Sequence, residues 1–172
     1  MTPPLKKIYL LDANVLINAH GLYYPIDMIP EFWEWIRHKA TEGLIKMPIE
    51  TFEEVRGGKK DLLTIWMHEK ETLDHLMLKE DVDGEALNSV LSTGYATDLT
   101  DTEIEQVGRD PFLVAYGMNT RQTRSIVSEE ISKPSKQRAN RKVPDVCSSV
   151  GVECCNTFSM LRSLGFKTGW NK

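Results

Sequence analysis

Ile8-Tyr9-Leu10-Leu11-Asp12-Ala13-Asn14-Val15-Leu16-Ile17 is the stretch from which the rest of the chain is read. Its first four residues form an unbroken apolar run, partly β-branched and aromatic. That composition suits a strand buried on both faces of a parallel sheet better than one with a wet face. Asp12 ends the run, and Asn14 interrupts the apolar residues that resume behind it. The segment is therefore expected to be neither a signal peptide nor a membrane span.

Outward from this strand, apolar periodicity predicts a series of helices. Pro30 opens one, with Phe32, Trp33, Ile36 and Ala40 at helical spacing and Gly43 as its stop. Residues 44–49 (LIKMPI) read as a second strand, weakened by Pro48. A helix from Glu50 carries Phe52 and Val55 on one side and ends at Gly57-Gly58. Residues 61–78 predict one long amphipathic helix, and another is expected from Asp83 towards Ser92. Thr100-Asp101-Thr102-Glu103 has the form of a capping box. Asp110-Pro111 predicts a helix start with Asp110 at the N-cap. Residues 125–128 (SIVS) and 152–155 predict short strands, residues 133–142 a polar loop, and residues 144–150 and 156–164 the last two helices. Buried strands alternating with helices define an α/β fold, three layers with a central, mainly parallel sheet. The 172 residues correspond to one domain, residues 1–172.

Composition bounds the function. Hydrophobic residues make up 41% and charged residues 27%, as in ordinary globular proteins. The net charge of −4 argues against a basic nucleic-acid coat protein, though not against an enzyme that touches nucleic acid through a local patch. Three cysteines, Cys147, Cys154 and Cys155, cannot all pair, which argues against a secreted disulfide scaffold. A reducing cytoplasmic compartment is the expected location. The four histidines lack zinc spacing, and no phosphate-binding Gly-rich loop with Lys is present.

Ligands of a parallel sheet bind beyond the carboxyl ends of its strands, and acidic residues fall there. Asp12 ends the first strand, Glu54 lies on the helix after the second, Asp110 begins a helix, and Glu130 follows the SIVS strand. Each has an ordinary structural reading as turn residue, cap or surface charge. Together they can converge. Like charges so placed oppose folding unless a cation joins them, and oxygen-only ligation suits Mg²⁺ or Mn²⁺.

These segments resemble those of the PIN-domain nucleases. Residues 9–17 (YLLDANVLI) are similar to that family's opening strand and turn, and Phe52-Glu53-Glu54-Val55 to its second acidic segment. Asp110-Pro111-Phe112-Leu113-Val114-Ala115 is similar to the third, and Ile126-Val127-Ser128-Glu129-Glu130 to the closing strand. Residues 142–147 (KVPDVC) with Gly151-Val152 resemble a bacterial branch of uncharacterised PIN-like proteins. The resemblance implies a metal-dependent ribonuclease, often the toxin of a type II toxin–antitoxin pair. It makes Asp12, Glu54, Asp110 and Glu130 the acidic site and Asn14 a supporting or substrate-contacting group. Asp12, Asp110 and Glu130 become the metal ligands. The fourth position departs from the pattern, with Glu for the common Asp and Ser128 for the common Thr. Glu129 is an alternative to Glu130, and Asp145 a further contributor. The implied partners are RNA, an antitoxin protein and a second copy of the chain, with no membrane.

The charge is unevenly distributed. Residues 121–142 hold seven basic residues, Arg121, Arg124, Lys133, Lys136, Arg138, Arg141 and Lys142, against two acidic ones. That window is +5 and the remainder −9. Lys133, Lys136, Arg138, Arg141 and Lys142 are the candidate phosphate contacts; an ordinary solvated loop is the competing reading. Two other functions stay open: a PIN-like module that binds RNA or protein without cleavage, and a DNA-directed nuclease.

Overall fold

The computed structural model of the chain describes residues 2–119 and 123–172. Its sheet has four parallel strands in the order β2-β1-β3-β4: β1 Ile8–Leu11, β2 Ile45–Lys46, β3 Arg124–Val127 and β4 Glu153–Cys155. The two central strands pair along their full length, from Ile8 opposite Arg124 to Leu11 opposite Val127. Tyr9, Leu11 and Val127 join one apolar core, whereas Leu10 and Ile126 join another. Neither face is left for water. This is why β1 reads as a continuous apolar run.

Ten α-helices among the described residues cover the two faces. The first core is packed by α1 (Ala13–Asn18), α2 (Pro30–Thr41), α3 (Ile49–Arg56), α4 (Leu62–His68), α5 (Lys70–Leu76) and α10 (Thr157–Ser163). Trp33, Trp35, Phe32 and Phe52 are its largest fully buried side chains. The second core lies under α6 (Gly84–Ser89), α7 (Asp101–Val107), α8 (Asp110–Gly117) and α9 (Val143–Val150). The architecture is the three-layer α/β/α arrangement expected. No helix among the described residues is long and apolar enough to cross a membrane.

Local structure departs from the sequence reading at several points. The helix expected over 61–78 is two, because Glu69 is extended (φ −63°, ψ 136°) between α4 and α5. Arg37 of α2 bonds Glu69 and Thr72, drawing the second half onto α2. The strand at 44–49 contracts to two residues, since Pro48 has no N–H for a ladder and instead precedes α3. Met47 still bridges to Met77. The helix from Asp83 passes into a π-helical segment, Val90–Tyr95, closed by the Ala96 N–H to Leu91 carbonyl bond. The capping box of α7 forms with both of its bonds. Asp110 is not the N-cap of α8. Arg109 takes that position, without a side-chain cap bond, and Asp110 is the first helical residue.

A candidate metal centre at the strand ends

β1 and β3 are neighbours although β2 intervenes in the chain, so the crevice beyond their carboxyl ends is the switch point of the sheet. Asp12 follows β1 and Ser128 follows β3. The Asp12 carboxylate is 6% exposed. Its Oδ2 accepts from Ser128 Oγ at 2.7 Å and from Asn14 Nδ2 at 3.0 Å. Asn14 in turn accepts from the Glu129 N–H at 3.0 Å, and Ser128 Oγ from the Glu130 N–H at 3.2 Å. The turn after β3 and the start of α1 are thereby locked together around one carboxylate. Asn14 serves as its support.

The turn sends its two glutamates in different directions. Glu129 accepts from the N–H and hydroxyl of Thr157, at the start of α10. Glu130 accepts from the Val143 N–H at 2.7 Å and lies 3.6 Å from Lys142 Nζ. Glu130 also acts electrostatically on both Asp12 and Asp110, so it is the member of the pair that joins the acidic group. Asp145 is buried and orders the following loop, accepting from Ser132 and from the Lys133 N–H at 2.8 Å.

Asp110 approaches from α8. Glu54 is exposed on α3, and both line a cleft of about 470 Å³ that runs between α3 and the turn at Gly108. Burial raises the Asp12 pKa to about 6, opposed by the Ser128 bond and reinforced by Glu130 and Glu54. Burial also raises Asp110 to about 7, reinforced by Asp12, Glu130 and Glu54 and opposed by Lys142. Both are carboxylates for which the surrounding protein supplies too little positive charge. Among the described residues, no three His, Cys, Asp or Glu side chains are grouped closely enough to hold one metal ion between them.

The basic residues divide into two sets. Arg138 is bound to Glu103 at 2.7 and 2.8 Å and to Asp98 at 2.8 Å. Arg141 bonds the Gly94 and Asp145 carbonyls and Ser149. Both guanidiniums are thus structural braces of the loop. Lys133 and Lys136 are exposed, and Lys142 lies beside Glu130. Arg124 is a strand residue whose side chain is 1% exposed and pairs with Glu80. Arg121 lies outside the described residues.

Sequence reasoning missed Tyr95, at the end of the π-helical segment. It is 7% exposed, its hydroxyl has no hydrogen-bond partner among the described residues, and it feels Asp110, Glu130 and Asp12. The one available signal was Gly94 before it. A Cβ at Gly94 would come within 2.7 Å of Val146 Cγ1, so only glycine lets this backbone press against α9.

Fold and site together define a parallel α/β protein with an acidic crevice at its switch point. The chain belongs to the family described as Domain of unknown function (DUF4411), whose model matches residues 9–168. No curated protein and no solved structure matches it.

Proposed function

We propose that the chain is a PIN-like, divalent-metal-dependent endoribonuclease that hydrolyses RNA phosphodiester bonds at Asp12, Glu54, Asp110 and Glu130. The observation that carries this reading is that Asp12, buried, and Asp110, half-buried, lie in the electrostatic field of Glu130 and Glu54 and have raised pKa values of about 6 and about 7. Such an arrangement costs folding energy unless a cation balances it. Its donors are all oxygens, which suits Mg²⁺ or Mn²⁺. Mg²⁺ keeps several waters and takes only one or two protein carboxylates, so it does not require a closed cage of three.

Asp12 and Asp110 are the direct ligands, because their short side chains are held by buried backbone. Glu130 completes the set through water or by exchanging its bond to Lys142. A bound divalent ion would acidify water and neutralise charge on the scissile phosphate. Ser128 and Asn14 fix the Asp12 carboxylate in one orientation. Glu54, exposed on the cleft wall, would accept a proton from the attacking water. Lys142, Lys133 and Lys136 supply phosphate contacts along the adjoining loop.

Asp12→Asn should abolish Mg²⁺- or Mn²⁺-dependent cleavage of labelled RNA while leaving the circular dichroism spectrum intact. Undiminished cleavage refutes the assignment. Single-stranded DNA and branched DNA, assayed beside RNA, separate a DNA-directed nuclease; cation binding without cleavage of any of them indicates a binding module. The biological setting we propose is that of a cytoplasmic toxin, acting as a homodimer and restrained by an antitoxin protein. Expression of the chain alone should then arrest growth, and expression of Asp12→Asn should not.

A further inference from the structure

The cleft between α3 and the turn at Gly108 contains an arginine that no carboxylate neutralises. Arg109, exposed in that turn, reaches across to α3, where its Nη1 donates to the Glu50 carbonyl at 2.6 Å. Its side chain therefore joins the two walls. Glu53 lines the cleft just under one helical turn beyond Glu50. Arg56 holds Glu53 through Oε1 at 3.1 Å, which leaves Oε2 to accept from a further group. Arg109 forms no ion pair among the described residues, whereas Arg37, Arg56, Arg124 and Arg138 each pair with a carboxylate. The opposite wall is fixed to the loop after β3 by the bond from Gln106 Nε2 to Asn140 Oδ1, 2.9 Å.

A phosphate not shared with a cation suits this cleft poorly. Its oxygens only accept hydrogen bonds, and Glu53, Glu54 and Asp110 on the walls repel its charge. A neutral ring that both accepts and donates suits it well. Arg109 has N–H groups beyond the one given to Glu50, and the Glu53 carboxylate is an acceptor. The two positions on α3 that these groups mark are separated by somewhat less than a helical turn of about 5.4 Å, on the scale of a purine's perimeter. Among the RNA bases, guanine alone carries two neighbouring acceptors, O6 and N7, beside two neighbouring donors, N1–H and the amino group. An arginine fork matches the first pair. Gly57 and Gly108 place no side chain over the cleft, and its volume of about 470 Å³ admits a flat ring.

Resting on the ribonuclease reading above, we propose that this cleft is a guanine-selecting subsite for single-stranded RNA. Arg109 donates to O6 and N7 of an unstacked guanine, and Glu53, steadied by Arg56, accepts from its N1–H and amino group. Single-stranded RNA is read in this way, through bases turned out of their stack and bonded along their edges. Because Glu54 and Asp110 line the same cleft, the selected base is the one that flanks the scissile phosphate. Arg109 thus sets where the chain cuts, not whether it cuts.

The test titrates the four ribonucleoside 5′-monophosphates, and ribose 5-phosphate as the control without a base, into ¹⁵N-labelled protein in EDTA. The amide resonances of Gly57 and Gly108 report on the cleft. Guanosine monophosphate should shift both and bind about tenfold more tightly than the other three, while ribose 5-phosphate shifts neither. Arg109→Lys keeps the charge but not the fork, and should lose about tenfold in affinity for guanosine monophosphate with an unchanged melting temperature. On a random-sequence RNA, the wild type should cut with guanine enriched at one position beside the break, and Arg109→Lys should cut without that enrichment. Equal binding of all four nucleotides, or shifts with ribose 5-phosphate, makes the cleft a phosphate contact and overturns the proposal. Unmoved glycine resonances overturn it as well. An Arg109→Lys protein that melts well below wild type makes the residue a brace between the walls and also overturns it. In each of these cases cleavage by the wild type leaves the ribonuclease reading standing. A wild type that selects guanosine monophosphate yet cleaves no RNA overturns that reading and keeps the guanine subsite.

Discussion

Asp110→Asn should make the metal-free protein more stable at alkaline pH and abolish the RNA cleavage proposed above. The folded-state pKa of Asp110, about 7, stands above the ordinary 3.8. The folded protein therefore resists ionisation of this group. The penalty is absent below pH 4, grows between pH 4 and 7, and is complete above that window. At about 1.36 kcal/mol per pH unit, the interval comes to roughly 4 kcal/mol. Asparagine has nearly the same shape and no charge, but its amide is also desolvated, so a gain of about 2–4 kcal/mol is expected at pH 8.5. Urea denaturation in EDTA at pH 4.5 and 8.5 measures it. The two proteins should be close at pH 4.5 and diverge at pH 8.5, with saturating Mg²⁺ raising only the wild type. A difference between them that is independent of pH, or a variant less stable at pH 8.5, refutes the reasoning.

Further outcomes follow from single contacts. Ser128→Ala removes the 2.7 Å bond to Asp12 and should cost about 2 kcal/mol in denaturation at pH 8; the loss should fade near pH 4, where Asp12 is neutral in both proteins. Glu129→Ala deprives Thr157 of its acceptor and should lower stability by about 1–2 kcal/mol with cleavage retained. Glu130→Ala should abolish cleavage, while the loss of its bond to the Val143 N–H is offset by relief of its repulsion on Asp12 and Asp110, leaving the denaturant midpoint within about 1 kcal/mol of wild type. Glu80→Gln disrupts the bidentate pairing with Arg124, at 2.6 and 2.9 Å, and should cost about 3 kcal/mol by denaturant midpoint. Gly94→Ala forces a methyl group into Val146; the overpacking should cost about 1–3 kcal/mol by denaturant midpoint.

The strands and the layer arrangement were legible because burial on both faces leaves a one-dimensional mark, an uninterrupted apolar run such as Ile8–Leu11. Breaks imposed by distant partners leave no such mark. The extended residue Glu69 is held by Arg37, 32 residues earlier, and periodicity over 61–78 contains no trace of it. In the site, Asp12 was legible because a lone carboxylate closing a buried strand is locally conspicuous. The choice between Glu129 and Glu130 was not. It depends on Thr157 and Val143, which meet these side chains only in the folded chain. Arg138 and Arg141 read as free cations for the same reason, since Asp98, Glu103 and Gly94 are about 35 to 47 residues away. Tyr95 sits in a π-helical segment whose spacing matches neither the 3.6 nor the 2.0 period.

The bond between Ser128 and Asp12 spans 116 residues of chain. Ribosomes add about 5–20 residues per second, so Asp12 emerges on the order of 10 s before the strand that must pair beside it has been made. Glu54 and Asp110 are added within that interval, and until it ends none of the three carboxylates has the β3 partner beside Asp12. On the reading proposed above, the acidic centre is complete only once β3 and Glu130 have been made.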